Sequence, residues 1–153
     1  MKVGIKQTHK IGRGLFALQD IKKDEFIFYF KGKVIKDRDS ARKLKCNLQV
    51  GPNLWIDPAK GSFGRYINHS CNPNAGVKGK IKIIAVRDIK LGDEVTLDYS
   101  ITDDDPRWKL NCKCGSENCR HIIKSIQFLP KSLFNEYKEF TPQFLQKSYI
   151  KAN

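Results

Sequence analysis

"RYINHSCNPN", residues 65–74, packs three asparagines, a histidine and a cysteine into ten positions. Tyr66 and Ile67 give the stretch an apolar hold. It shows neither the two-residue alternation of a strand nor the i, i+3, i+4 spacing of an amphipathic helix. So many hydrogen-bonding side chains are too polar for an ordinary connection, and Cys71 among them needs a partner.

Partners for it lie downstream. "NCKCGSENCR", residues 111–120, carries Cys112, Cys114 and Cys119, three thiols within eight residues. The chain has five cysteines in all, the fifth being Cys46. The N-terminus, "MKVGIKQTHKIGRG", has a lysine but no apolar core of a secretory signal. An odd cysteine count without an export signal argues against a disulfide framework and for metal. Structural zinc takes four ligands in a tetrahedron, so three thiols cannot close the site. By spacing, the fourth ligand is Cys71, Cys46, His69 or His121.

The 153 residues suffice for one domain with a sizeable core. A hydrophobic content of 40% excludes global disorder, and no apolar run reaches the roughly 18 residues that span a bilayer. The expectation is an intracellular, soluble protein. Net charge is +13, and residues 1–50 hold 13 Lys/Arg against 5 Asp/Glu. That excess suits an anionic partner such as nucleic acid or an acidic protein, or else a lysine-rich solvated surface.

Around the polar stretch the first two thirds read as short strands broken by turns. "VGIKQ" and "GLFAL" flank "KIGRG". "DEFIFYFKGKVI" is a longer strand or strand pair, with Gly32 at a bulge or turn. "DRDSARKLK" is a short polar helix opened by Asp37 or Asp39. "NLQV" and "NLWID" flank a turn at Gly51-Pro52. "KIKIIAVRDI" and "DEVTLDYS" flank "KLGD" as strand–turn–strand. In the last third, "KSLFNEYKEF" places Leu133, Tyr137 and Phe140 on one helical stripe. "TPQFLQKSYI" begins with Thr141 as N-cap and Pro142 at the first helical position. Phe144, Tyr149 and the stripe then cover the strands. The fold class is mostly β, with a metal-clamped C-terminal segment and short terminal helices.

These motifs, in this order, resemble the SET-domain protein-lysine methyltransferases. "GRGLFAL" resembles the family's N-terminal Gly-x-Gly segment, and "GRYINHSCNPN" its Asn-His-Ser-Cys signature. "AVRDIKLGDEVTLDY" resembles the strand–turn–strand that ends in Asp-Tyr, and "CKCGSENCR" the post-SET cysteine motif. The resemblance covers residues 12 to about 120. It implies a SET fold of small sheets with a knot-like crossing, at which buried backbone finds partners in Asn and Ser side chains. It implies a SET domain over 1–103, a zinc-bound post-SET segment over 104–123 and a helical extension over 124–153.

The resemblance also implies the site. S-adenosylmethionine would be held by Gly12, Arg13, Gly14, Leu15, Asn68 and His69. One structural zinc would be held by Cys71, Cys112, Cys114 and Cys119, bringing the tail over the active site. Tyr99 would be the catalytic tyrosine, whereas read alone it is a core residue ending a strand. Phe30, Tyr66 and Leu97 would line the lysine channel. Ile122 and Ile123 follow the cysteine motif where the family packs apolar groups on adenine. Asp98 is expected to be structural, and Cys46 has no assigned role.

Phe30 and Leu97 stand where the family often has hydroxyl-bearing or larger aromatic residues. A channel with fewer hydroxyls is expected to tolerate di- or trimethylation. Asp103-Asp104-Asp105 either draws a basic peptide to the channel mouth or forms a solvated loop.

The expected function is S-adenosylmethionine-dependent methylation of lysine on a protein substrate, a histone or another basic chromatin-like protein. The competing reading is a non-catalytic, basic, zinc-containing module docking on nucleic acid or chromatin. Docking needs neither Tyr99 nor the Gly-rich loop. The expected location is cytoplasmic or chromatin-associated, with secretion into a host left open.

Overall fold

The computed structural model describes residues 1–8 and 12–153. Strand β1 (Val3–Gln7) pairs antiparallel with β2 (Arg13–Ala17), Val3 opposite Ala17 and Gln7 opposite Arg13. The turn "KIGRG" between them is described only from Gly12 onward, since Lys10 and Ile11 lie outside the described residues. Gly12 has a φ of 75°, where a side chain would be strained.

The long apolar run divides as expected into β3 (Phe26–Tyr29) and β4 (Gly32–Ile35). Gly32 is neither a bulge nor a turn. It opens β4 opposite Pro58, and a Cβ there would strike the Asp57 carbonyl, so close backbone approach selects glycine. Helix α1 (Arg38–Arg42) is capped by Asp37, whose carboxylate accepts the Ser40 backbone N–H at 2.8 Å. Strands β5 (Leu48–Gly51) and β6 (Leu54–Pro58) flank a turn at Pro52-Asn53, one residue later than Gly51-Pro52, and form, with β4, a three-stranded sheet ordered β4-β6-β5.

The polar stretch contributes β7 (Asn68–His69), and β8 (Ala75–Lys78) and β9 (Lys82–Ala85) follow it. Strands β3, β9 and β8 make the second three-stranded sheet. The "KLGD" turn forms, with Asp93 N–H bonded to the Lys90 carbonyl. The segments on its two sides do not pair with each other, however. Ile89 exchanges both backbone bonds with Ile21, whereas Asp93 and Val95 bond to Ala17 and Leu15 of β2. The chain then enters β10 (Thr96–Leu97), which lies parallel to β7 with Thr96 opposite Asn68 and Leu97 opposite His69.

These sheets enclose the main core. Leu15, Ile21, Ile83, Ile89, Val95 and Leu97 are essentially without solvent exposure. Each such aliphatic stabilises the fold by about 1.5–3 kcal/mol relative to an exposed one.

After a single 3-10 turn at Tyr99–Ile101 the chain crosses to a hairpin of β11 (Lys109–Asn111) and β12 (Ile122–Lys124). The chain ends in α2 (Lys131–Tyr137) and α3 (Gln143–Ala152). The helices close a second core of Ile101, Ile126, Leu129, Phe134, Leu145 and Tyr149. In it Phe134 and Tyr149 stack with ring centroids 3.7 Å apart. Phe140 instead packs on Gly76 of β8, where a Cβ would collide with it. Thr141 does not cap α3. Pro142 occupies that position, and the Thr141 hydroxyl donates back to the Tyr137 carbonyl at 2.9 Å. Among the described residues no helix is long and apolar enough to cross a membrane.

Candidate active site and metal centre

The parallel contact of β7 with β10 fixes the site. Immediately before β7 stands Ile67, whose carbonyl accepts a hydrogen bond from the Tyr99 hydroxyl at 2.8 Å. Burial raises the Tyr99 phenol well above its usual pKa, so it stays protonated. A phenol held in that state is a hydrogen-bonding group, not a base.

Tyr99 opens onto a cavity of about 440 Å³. Phe30 and Leu97 share its lining, as do Ile67, Trp55 and Cys46. Phe30 is buried against Gly64, where a Cβ would lie 2.7 Å from the ring. Tyr66 does not line this cavity. Its ring lies under the Arg13 guanidinium, 4.7 Å from the centroid.

That stacking brings the Gly-rich loop to the polar stretch. The Asn68 amide donates to the Arg13 carbonyl at 3.3 Å and to the Glu94 carboxylate at 2.7 Å. Gly14 sits among Glu94, Thr8 and Asn68, and a Cβ would press into all three. Gly12, Arg13, Gly14, Tyr66 and Asn68 therefore form one cradle, with Leu15 buried behind it. With the Arg13 guanidinium already stacked on Tyr66, a ligand here would meet the loop through its backbone rather than through that side chain.

His69 faces the other way. Its Nδ1 accepts the Tyr99 backbone N–H at 3.1 Å, which leaves the proton on Nε2, 3.4 Å from the Cys71 sulfur. Burial drives its pKa down to about 4, so the ring is neutral at pH 7. The 3.7 Å approach of Nδ1 to Asp98 is accordingly not an ion pair.

The sulfurs of Cys71, Cys112, Cys114 and Cys119 lie within 4.8 Å of one another, and Cys71 and Cys112 are 3.8 Å apart. A tetrahedral zinc with bonds of about 2.3 Å has sulfur–sulfur edges of roughly 3.8 Å. The four thiols fit that ion, and they could hold it as a closed site. Cys46, His69 and His121 do not belong to the group. Ile123 is buried against Cys71 and Cys112, whereas Ile122 is 55% exposed, so only Ile122 is free to meet a ligand.

One residue escaped the sequence reading. Arg120, next to Cys119, donates through Nη2 to both oxygens of the fully buried Asp98 at 2.7 Å. Its backbone N–H and Nε also reach the Cys71 sulfur, at 3.4 and 3.5 Å. A buried acid beside the candidate tyrosine was the available signal, because it requires a cation from somewhere.

The acidic run is neither a lure nor a solvated loop. Asp103 accepts the Trp55 indole N–H at 3.0 Å. Asp104 accepts from Arg38 at 2.9 Å and from the Ser148 hydroxyl. Asp105 takes both Nε and Nη2 of Arg42, which hold its carboxyl below the usual range. These bonds tie the segment to α1, β6 and α3.

Comparison with known proteins agrees with this geometry. The family model described as SET domain matches residues 12–100. A variant-silencing SET domain-containing protein of Plasmodium falciparum is 32% identical over 89% of this chain and 7% of its own length. An H3 lysine-36 specific histone-lysine N-methyltransferase of Candida albicans is 37% identical over 99% of this chain and 20% of its own. The chain thus spans a small part of these curated relatives. Among solved structures, KRYPTONITE in complex with mCHG DNA and SAH superposes with a TM-score of 0.64 at 26% identity, covering 78% of this chain and 28% of that one. The methyltransferase domain of human SETMAR superposes at 0.67 and 24% identity over 80% of this chain and 58% of that one, which speaks for the fold.

Proposed function

The chain belongs to the SET domain family, and from that premise we propose that it methylates lysine side chains of a protein substrate with S-adenosylmethionine as donor. The observation that carries the reading is the placement of Tyr99. It lies on the cavity with Phe30 and Leu97, and its hydroxyl is tied to Ile67, one residue before the Asn68 that grips the Gly-rich loop.

S-adenosylmethionine, when bound, supplies an electrophilic methyl on a sulfonium. The cradle of Gly12, Arg13, Gly14, Leu15 and Asn68 would hold it, with His69 behind and Ile122 as the apolar neighbour. The lysine would enter the cavity past Phe30 and Leu97. Their apolar surface disfavours the ammonium and so favours the neutral amine that attacks. The Tyr99 hydroxyl donates to the Ile67 carbonyl, and its oxygen remains an acceptor for an amine N–H. Orientation is then the main contribution of the protein, as an in-line displacement requires. No side chain need act as base.

The four cysteines would bind one structural zinc and keep β11 and β12 against Tyr99. The division would be a SET domain over 1–103, a post-SET segment over 104–123 and an extension over 124–153, although the second buried cluster draws in Ile101 and the third draws in Cys71 from the first segment. The names of the relatives support a histone or other chromatin protein as substrate and a chromatin-associated role. Nothing in the site favours a non-catalytic docking module.

The test is intact-mass analysis of a panel of proteins incubated with the enzyme and S-adenosylmethionine. Single-methyl mass steps that disappear with Tyr99→Phe support the reading. Cofactor binding without any step on any substrate refutes it for that panel, and absence of cofactor binding refutes it outright.

A further inference from the structure

We propose that this site takes a lysine flanked by acidic residues, rather than one embedded in an uninterrupted basic tail. The inference rests on the cavity beside Tyr99 being the lysine channel.

The cavity is lined by five cationic side chains, those of Arg38, Arg42, Lys45, Arg107 and Lys109, against two carboxylates. Both carboxylates are already used within the protein. Asp105 is held by Arg42, and Asp103 by the Trp55 indole and the Asp105 backbone N–H. Neither remains to meet an incoming cation. Lys45, Arg107 and Lys109 are exposed, and among the described residues none of them forms an ion pair.

Arg38 belongs to that cationic lining. Its guanidinium lies over the Trp55 ring at 5.1 Å, and Nη2 bonds Asp104. Nη1 is buried without any hydrogen-bond partner, which sets it apart among the described side chains. An unpaired buried donor of a charged group costs free energy, and its burial keeps it from direct contact with an incoming peptide. The wall of the cavity therefore offers several unpaired cations to whatever surrounds the target lysine. A peptide of arginines and lysines would meet like charge there, whereas aspartate or glutamate on either side of the lysine would meet complementary charge.

The experiment uses labelled short peptides with one central lysine flanked by glutamates, by serines or by arginines. Affinity is read by fluorescence anisotropy at low and physiological salt, with S-adenosylhomocysteine present. The glutamate peptide should bind about tenfold tighter than the serine peptide, the arginine peptide weaker still, with the difference shrinking as salt rises. Lys45→Glu combined with Lys109→Glu should abolish that preference. Lys80→Glu with Lys151→Glu, an equal charge change away from the cavity, should preserve it. Equal affinities, a preference for arginine, loss in both double variants alike, or no binding by any peptide would overturn the inference. So would duplex DNA that depends on Lys45 and Lys109 while acidic peptides do not. Methyl transfer to the same peptides separates the two readings. A charge preference without transfer sinks the catalytic reading alone, and equal transfer to all three peptides sinks this inference alone.

Discussion

Arg120 and Asp98 join the cysteine cluster to the candidate tyrosine. One guanidinium nitrogen lies 2.7 Å from both oxygens of Asp98, which is wholly buried and directly precedes Tyr99. Arg120 itself directly follows Cys119 and also donates to Cys71. The cysteine cluster and the candidate catalytic tyrosine therefore share one charge pair.

Removing one member strands the other. Arg120→Ala should destabilise the protein by about 3–5 kcal/mol, as loss of a buried ion partner does. Arg120→Lys should recover only part, because an ammonium cannot reach Asp98, Ser100 and Cys71 together. Urea unfolding gives the first quantity, and the rate of zinc loss to a chromogenic chelator gives a second. Faster zinc release in both variants is expected, because the Nε–H bond to the Cys71 sulfur is lost even though the backbone N–H bond stays. Unchanged release would show that the pair serves Tyr99 only.

Zinc itself should be present at about one ion per chain, measured by atomic emission. Cys112→Ser should lose it and lower the melting temperature, whereas Cys46→Ser should retain it, since Cys46 lies apart from the cluster. Chelation should detach the β11–β12 hairpin first, seen as accelerated amide exchange at Leu110 and Ile123. Those strands are held to the rest largely through the cluster containing Cys71.

Tyr99→Phe should cost little stability, about 1 kcal/mol for one hydrogen bond to Ile67, yet reduce turnover roughly a hundredfold or more. Its pH behaviour follows from the raised pKa of the phenol. A folded-state pKa above the unfolded value of about 10 makes the stabilisation complete below pH 10 and lost as pH rises further. Thermal unfolding of the wild type should therefore weaken above about pH 10 more steeply than that of Tyr99→Phe. A rise of rate with pH between 7 and 9 should persist in the variant, as the amine of the substrate, not Tyr99, loses the proton.

Leu97 lines the cavity beside Tyr99 and is 2% exposed. With no hydroxyl from Leu97 or Phe30, the wild type should release di- and trimethyl-lysine. Leu97→Tyr should shift the products towards monomethyl-lysine, read by mass spectrometry of a modified peptide. An unchanged product distribution would remove Leu97 from the control of product state.

Local signals were legible because local physics sets them. The strand β1, the Asp37 cap of α1 and the turn that follows Gly51 each depend on residues a few positions apart. The partition of "AVRDIKLGDEVTLDY" was not legible. Its turn is local, but its two arms find backbone partners in Ile21 and β2 rather than in each other. Nothing in the alternation of an edge names the strand it will meet. Thr141 misled for a similar reason, since its hydroxyl satisfied a carbonyl of the preceding turn.

The order of the motifs by itself determined the family, the candidate tyrosine and the three clustered thiols, because each is a short string of chemistry. Spacing alone left Cys71, His69, His121 and Cys46 open as the fourth member; the resemblance implied Cys71, and the tertiary structure brings its sulfur among the other three. It alone decided that Asp103, Asp104 and Asp105 are spent on Trp55, Arg38 and Arg42, leaving the cavity cationic. A sequence records which charges exist. Which of them remain unpaired is settled by distances between residues far apart in the chain, and those distances come into being only when the core closes.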